Sequence, residues 1–208
     1  VIPFYTKDGA FSAPDQPLYY LLTRDGLFLV RRSPFFTTEL KVAGLPWLAG
    51  HEEQARLHLP RPIPQDLFDQ AVSFFQAVFA RYGSEAILLL YYLAAEDGYR
   101  LVAPRQEVSR LTCHYEIEPT PAGWTRLGSL HSHGALEAGH SDIDARDERY
   151  EDGLHFTVGN LRGTPALSSE LVVDGRRFEV PAAEVLEPFQ PAEFPREWLQ
   201  AVSGNPLA

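Results

Sequence analysis

Residues 130–144 read L-H-S-H-G-A-L-E-A-G-H-S-D-I-D, and the rest of the chain is most easily understood around them. His131 and His133 stand two residues apart, seven residues separate His133 from Ser141, and Asp144 follows Ser141 by three. Side chains alternate faces along an extended segment, so imidazoles at i and i+2 emerge on the same side and can grip one ion. A carboxylate from the next element would complete a two-nitrogen, one-oxygen set. That set suits Zn²⁺ and leaves its fourth tetrahedral position for water, the arrangement of a catalytic rather than a closed structural site.

Composition sets the bounds. A chain of 208 residues with 45% hydrophobic and 12% aromatic content can bury a sizeable core, so disorder is not expected. The formal net charge of -10 and pI near 5.1 argue against a nucleic-acid or anionic-membrane surface, which needs clustered Lys and Arg. A neutral or basic partner fits better. The single cysteine, Cys113, excludes an intrachain disulfide and makes a cytoplasmic location the default expectation. No apolar run approaches the roughly 20 residues of a membrane span, and the first residues show no signal-peptide pattern. The numbering begins at Val1 and the chain holds no Met, which is read as an initiator removed or lying outside this numbering.

In chain order, residues 17–32 hold two β-branched or aromatic-rich runs around Asp25-Gly26 and predict a β-hairpin. Residues 34–64 carry five prolines, with Gly44 and Gly50 between them, and read as irregular wrapping structure. From 66 to 82, Phe68, Ala71, Val72, Phe75, Val78, Phe79 and Tyr82 recur at helical spacing, with Asp66 placed as N-cap and Gly83 as terminator. Residues 84–93 are too continuously apolar for a half-exposed strand and read as a central buried one; 99–103 return as its antiparallel neighbour. Residues 110–118 alternate as a strand, and 124–133 form the strand that ends in the two histidines. A helix is expected over 141–150, with Ser141 as N-cap and Asp144 at its third position. Strands follow over 154–161 and 167–180, the latter interrupted by Asp174-Gly175, and a short helix starts at Pro195 in a proline-rich tail.

The four fixed positions His131, His133, Ser141 and Asp144 resemble the signature of the JAMM (MPN-plus, JAB) zinc metalloproteases: His-x-His, seven residues, Ser-x-x-Asp. Gly134 departs from it, since the family usually has Pro there; the expected effect falls on loop stiffness more than on ligation. The resemblance implies an α/β (α+β) fold, a JAB/MPN-like mixed β-sheet flanked by helices. It divides the chain into an N-terminal β-rich extension over 1–65, a catalytic domain over 66–180 and a proline-rich tail over 181–208. A narrower likeness, to bacterial JAB proteins of the PRTRC system protein A type, rests on G-L-F-L-V-R-R and on H-S-H-G followed by E-D-G-L-H.

The resemblance also assigns roles. His131, His133 and Asp144 would hold Zn²⁺, which lowers the pKa of a bound water toward about 7. In the family a glutamate opening the strand after the long helix acts on that water, and Glu85 occupies this place. Ser141 would stabilise the oxyanion. The implied activity is hydrolysis of the peptide or isopeptide bond after the C-terminal tail of a ubiquitin-like protein, by deconjugation or precursor processing in a bacterial system. Activating and conjugating enzymes of the same operon are its expected companions. The alternatives are a catalytically silent MPN-type scaffold and a general zinc peptidase.

Plainer readings stand beside these. Strand-end histidines often only bond the backbone, and Ser-x-x-Asp at a helix start resembles a capping box. Were Asp144 not the ligand, His140 or Asp142 would be the first substitute; Glu107, Glu116 and Glu118 are lesser candidates for the glutamate role. Asp142 and Asp147 otherwise read as solvated helix positions. Cys113 reads as a small buried side chain, and Trp124 and Trp198 as packing anchors. His51, His58, His114 and His155 have no ligand spacing of their own.

Overall fold

A computed structural model of the chain describes residues 2–44, 50–109, 112–138, 151–181 and 191–204. The protein is a mixed α+β structure built mostly of sheet, and it divides into two compact units, Val1–Arg61 and Pro62–Ala208.

In the first unit, alternation at Leu18–Thr23 (β2) and Gly26–Arg32 (β3) produces the expected antiparallel hairpin. Tyr19, Leu21, Phe28 and Val30 point to one side and are buried, with Tyr5 and Phe11 packed against them. Each such side chain contributes about 1.5–3 kcal/mol relative to an exposed one. The hairpin is the centre of a five-stranded sheet, which Phe4–Thr6 (β1), Phe36–Ala43 (β4) and Gln54–Leu57 (β5) complete in the order β1-β2-β3-β4-β5. The expectation of irregular structure over 34–64 is therefore corrected by two strands. Within T-T-E-L, Thr38 and Leu40 are buried while Thr37 and Glu39 are only half-buried, a period-two signal that the surrounding prolines masked.

The second unit begins with Gln65–Tyr82 (α1). Pro64, not Asp66, holds the N-cap position; Asp66 lies in the first turn, where its charge favours the positive end of the helix dipole. Gly83 ends the helix in the left-handed conformation, its N–H on the Phe79 carbonyl at 2.8 Å. Phe74 is buried besides the expected stripe, because the C-terminal segment covers a second side of the helix. Its ring meets those of Phe194 and Trp198, each at 5.6 Å, and Trp198 lies on the short helix Arg196–Gln200 (α2) that follows Pro195.

Six strands form the main sheet: Ile87–Leu93 (β6), Gly98–Val102 (β7), Trp124–Ser132 (β10), Gly153–Gly159 (β11), Ala166–Val173 (β12) and Arg176–Glu179 (β13). Their order is β13-β12-β11-β10-β6-β7. β10 runs parallel to β11, and the other neighbours are antiparallel, so the sheet is mixed. α1 lies on the face that carries Phe156, whose ring meets that of Phe68 at 4.8 Å. Asp174 and Gly175, both at positive φ, make the tight turn between β12 and β13. A second sheet joins Arg105–Val108 (β8), Cys113–Glu116 (β9) and Val202–Ser203 (β14) in the order β14-β8-β9. The strand expected over 110–118 is thus shorter where it is described, and β8 and β14 are additions to the reading. The helix expected over 141–150 lies outside the described residues. Among the described residues no helix is long and apolar enough to cross a membrane.

Candidate metal centre

β10 is hydrogen-bonded on both sides, to β6 and to β11, so its side chains can only leave above or below the sheet. Alternation then puts Leu130 on one face and Ser129 and His131 on the other. The parallel register sets His131 beside Thr157 and Ser129 beside His155. His133 lies one residue past the strand, yet its N–H still reaches the Val158 carbonyl at 2.8 Å, extending the pairing. The chain then turns back onto the end of β11. Leu136 N–H bonds the His133 carbonyl (2.9 Å), Asn160 N–H the Leu136 carbonyl (2.6 Å), and Leu161 N–H the Gly134 carbonyl (2.8 Å).

Gly134 is required at this turn. Its φ is +57°, a conformation that costs other L-residues energy and that the ring of proline forbids, and a Cβ there would stand 2.8 Å from the Phe79 ring. The residue usual in the resembled family does not fit this backbone.

The two imidazoles meet. Nε2 of His131 and Nε2 of His133 are 3.1 Å apart, with ring centroids 5.0 Å apart and planes at 49°. The Thr157 hydroxyl lies 3.3 Å from His131 Nε2. Two nitrogens sharing a tetrahedral zinc at about 2.0–2.1 Å would stand about 3.3 Å from each other, so the pair fits the ion as a two-nitrogen donor set. His133 is buried and His131 half-buried.

Glu85 comes to the same end of the sheet. Ile87 pairs with His131, the Ser132 N–H bonds the Ala86 carbonyl at 3.0 Å, and Ala86 N–H bonds Ser132 Oγ at 3.1 Å. Glu85 immediately precedes Ala86, the residue that Ser132 holds at this end of the sheet. Glu85 sits two residues before β6 rather than within it and is half-buried. Its carboxylate is also felt by Cys113, whose thiol is pushed up to about 12, first by burial and then by the Glu85 charge. Cys113 is half-buried, and its Sγ–H donates to Gln106 Oε1 at 3.7 Å.

Ser141 and Asp144, with His140, Asp142 and Asp147, lie outside the described residues. Among the described residues no third His, Cys, Asp or Glu completes a metal-holding group. Glu107 and Glu116 are exposed on the three-stranded sheet, and Glu118 is exposed beyond it. His155 is a fully buried core histidine: Nδ1 is 2.9 Å from Ser129 Oγ and Nε2 is 2.8 Å from the Glu151 carbonyl. In the first unit, His51 is held between Glu39 and Lys7, and His58 lies 3.3 Å from the Thr37 hydroxyl. Sequence reasoning missed Thr157, because only the pairing of β10 with β11 brings it to His131.

No protein-family model matches the chain, and no curated protein matches it. Among solved structures, it is similar to the solution structure of protein DSY2949 from Desulfitobacterium hafniense. The identity is 18% over 65% of this chain and 94% of that one, with a TM-score of 0.37, a likeness too loose to carry an argument.

Proposed function

We propose that the second unit is a JAB/MPN-like zinc hydrolase that cleaves the peptide or isopeptide bond after the C-terminal tail of a ubiquitin-like protein in a bacterial system. The observation that carries this is the 3.1 Å convergence of the His131 and His133 Nε2 atoms at a strand end, with Glu85 next to Ala86, which Ser132 holds at the same end of the sheet. His131, His133 and Asp144 would hold the ion. Zinc in such a set supplies Lewis-acid polarisation and acidifies water without a protein nucleophile.

The chain's own groups do the rest. Glu85 takes up the proton of the attacking water and returns it to the leaving amine. The Ser141 hydroxyl donates to the developing oxyanion, a contribution typically worth about 10²–10³ in rate. The two histidines, one on a strand bonded from both sides and the other pinned to β11, present their nitrogens without reorganisation. Deconjugation and precursor processing share this chemistry, and enzymes that activate and conjugate the modifier are the proposed partners.

Elemental analysis of the purified protein, with chelator-sensitive cleavage of a C-terminal amide of a ubiquitin-like protein, tests the reading. The Glu85→Ala variant is expected to keep its zinc and lose hydrolysis. Full activity in that variant removes Glu85 from the mechanism; zinc-free protein with no cleavage points instead to a scaffold.

A further inference from the structure

The start of β6 is gripped from two sides. Ser132 bonds both the N–H and the carbonyl of Ala86, at 3.1 and 3.0 Å. On the opposite edge the β6–β7 pairing stops at Leu89 and Val102, short of Ile87. The carboxamide of Gln106 fills that gap: Ile87 N–H donates to Oε1 at 3.0 Å and Nε2 donates to the Ile87 carbonyl at 3.0 Å. The same Nε2 reaches the Pro104 carbonyl at 3.3 Å, and Oε1 accepts from the Cys113 thiol at 3.7 Å. Both donors and both acceptor sites of the amide are thereby used.

Gln106 is also fixed in place. It is 1% exposed, its backbone N–H bonds the Ala201 carbonyl at 3.0 Å, and its own carbonyl accepts from Ser203 Oγ at 3.3 Å. A carboxamide offers a donor and an acceptor side by side as a neighbouring strand would, with a second N–H left for Pro104. A shorter amide would not reach Ile87, and an apolar side chain would leave the Ile87 and Pro104 groups buried without these partners.

We propose that Gln106 is a positioning residue for Glu85: it fixes the backbone two residues beyond Glu85 and so holds that carboxylate at the histidine end of β10. The role rests on the hydrolase reading above. A displacement of about 1 Å at a reacting group costs about 10²-fold in rate, so the clamp governs turnover more than binding.

The test compares wild type, Gln106→Met and Gln106→Asn, which keeps the amide but withdraws it by one methylene, in the zinc-loaded full chain. The readouts are zinc content, unfolding midpoint and hydrolysis of the C-terminal fluorogenic amides of ubiquitin and of a short Gly-Gly peptide. Expected is a fall in kcat of about 10²-fold with KM changed by less than about twofold and zinc content intact. Gln106→Asn decides the matter if Gln106→Met does not fold. A lowered unfolding midpoint with kcat unchanged makes Gln106 structural only and overturns the positioning role alone. Absence of hydrolysis by zinc-loaded wild type overturns the hydrolase reading, and the positioning role with it.

Discussion

Gly134 couples the turn after the histidines to helix α1, because the space a Cβ would take belongs to the Phe79 ring, which Arg162 covers from 5.4 Å. Gly134→Ala is expected to lower the unfolding free energy by about 1–2 kcal/mol from the left-handed conformation alone. Adding Phe79→Leu should recover any further loss, since it clears the contact, and a denaturant double-mutant cycle measures the two parts. Cys113 offers a second reading of the site. Its thiol is pushed up to about 12 by burial and by the Glu85 carboxylate, so iodoacetamide should label it slowly at pH 8. Glu85→Gln removes one of the two causes, and faster labelling of that variant would locate the carboxylate without any activity assay. The paired histidines were legible in the sequence because strand alternation is a local rule. The partnerships of Thr157 with His131 and of Gln106 with Ile87 were not, because both depend on pairing between segments far apart in the chain.

The β10–β11 pair carries two polar rungs, Ser129 with His155 and His131 with Thr157, and they differ in purpose. The first is closed, since both His155 nitrogens already have partners. His155→Ala should therefore destabilise the fold by about 2–4 kcal/mol by leaving buried polar groups unmatched, while zinc stoichiometry stays unchanged. Urea unfolding and metal analysis of the one variant separate the roles; loss of zinc with stability intact would make His155 a ligand instead. The same contrast explains which elements could be read in advance. α1 announced itself by its apolar period, and β6 by a run with no polar interruption. β4 was hidden by the prolines on either side, and β8, R-Q-E-V, has polar Gln106 at one of its buried positions, so its composition gave no apolar alternation to follow.

Among the described residues, three groups whose ionisation is held up in the fold, Cys113, Tyr19 and Tyr91, bear on the response to alkali. Cys113 ionises at about 9.0 when unfolded and at about 12 in the fold. Its contribution to stability is complete below pH 9 and lost as the pH rises toward 12. Tyr19 and Tyr91 are each raised from 10.0, foremost by burial, and act in the same direction above pH 10. Denaturant midpoints measured from pH 7 to 11 should fall on the basic side beginning near pH 9, and Cys113→Ala should delay that onset. The resemblance implied a mixed sheet flanked by helices, while in residues 1–61 the sequence showed a β-rich extension with the β2–β3 hairpin but not the five-stranded sheet built around it. The parallel pairing of β10 with β11 has a further consequence, for folding speed. Two strands that run the same way cannot be joined by a tight hairpin, so this contact forms only after the connection between Ser132 and Gly153 has closed a loop against chain entropy. Substitutions at His155 or Thr157 are therefore expected to accelerate unfolding while leaving the refolding rate nearly constant, a division that stopped-flow chevrons record directly.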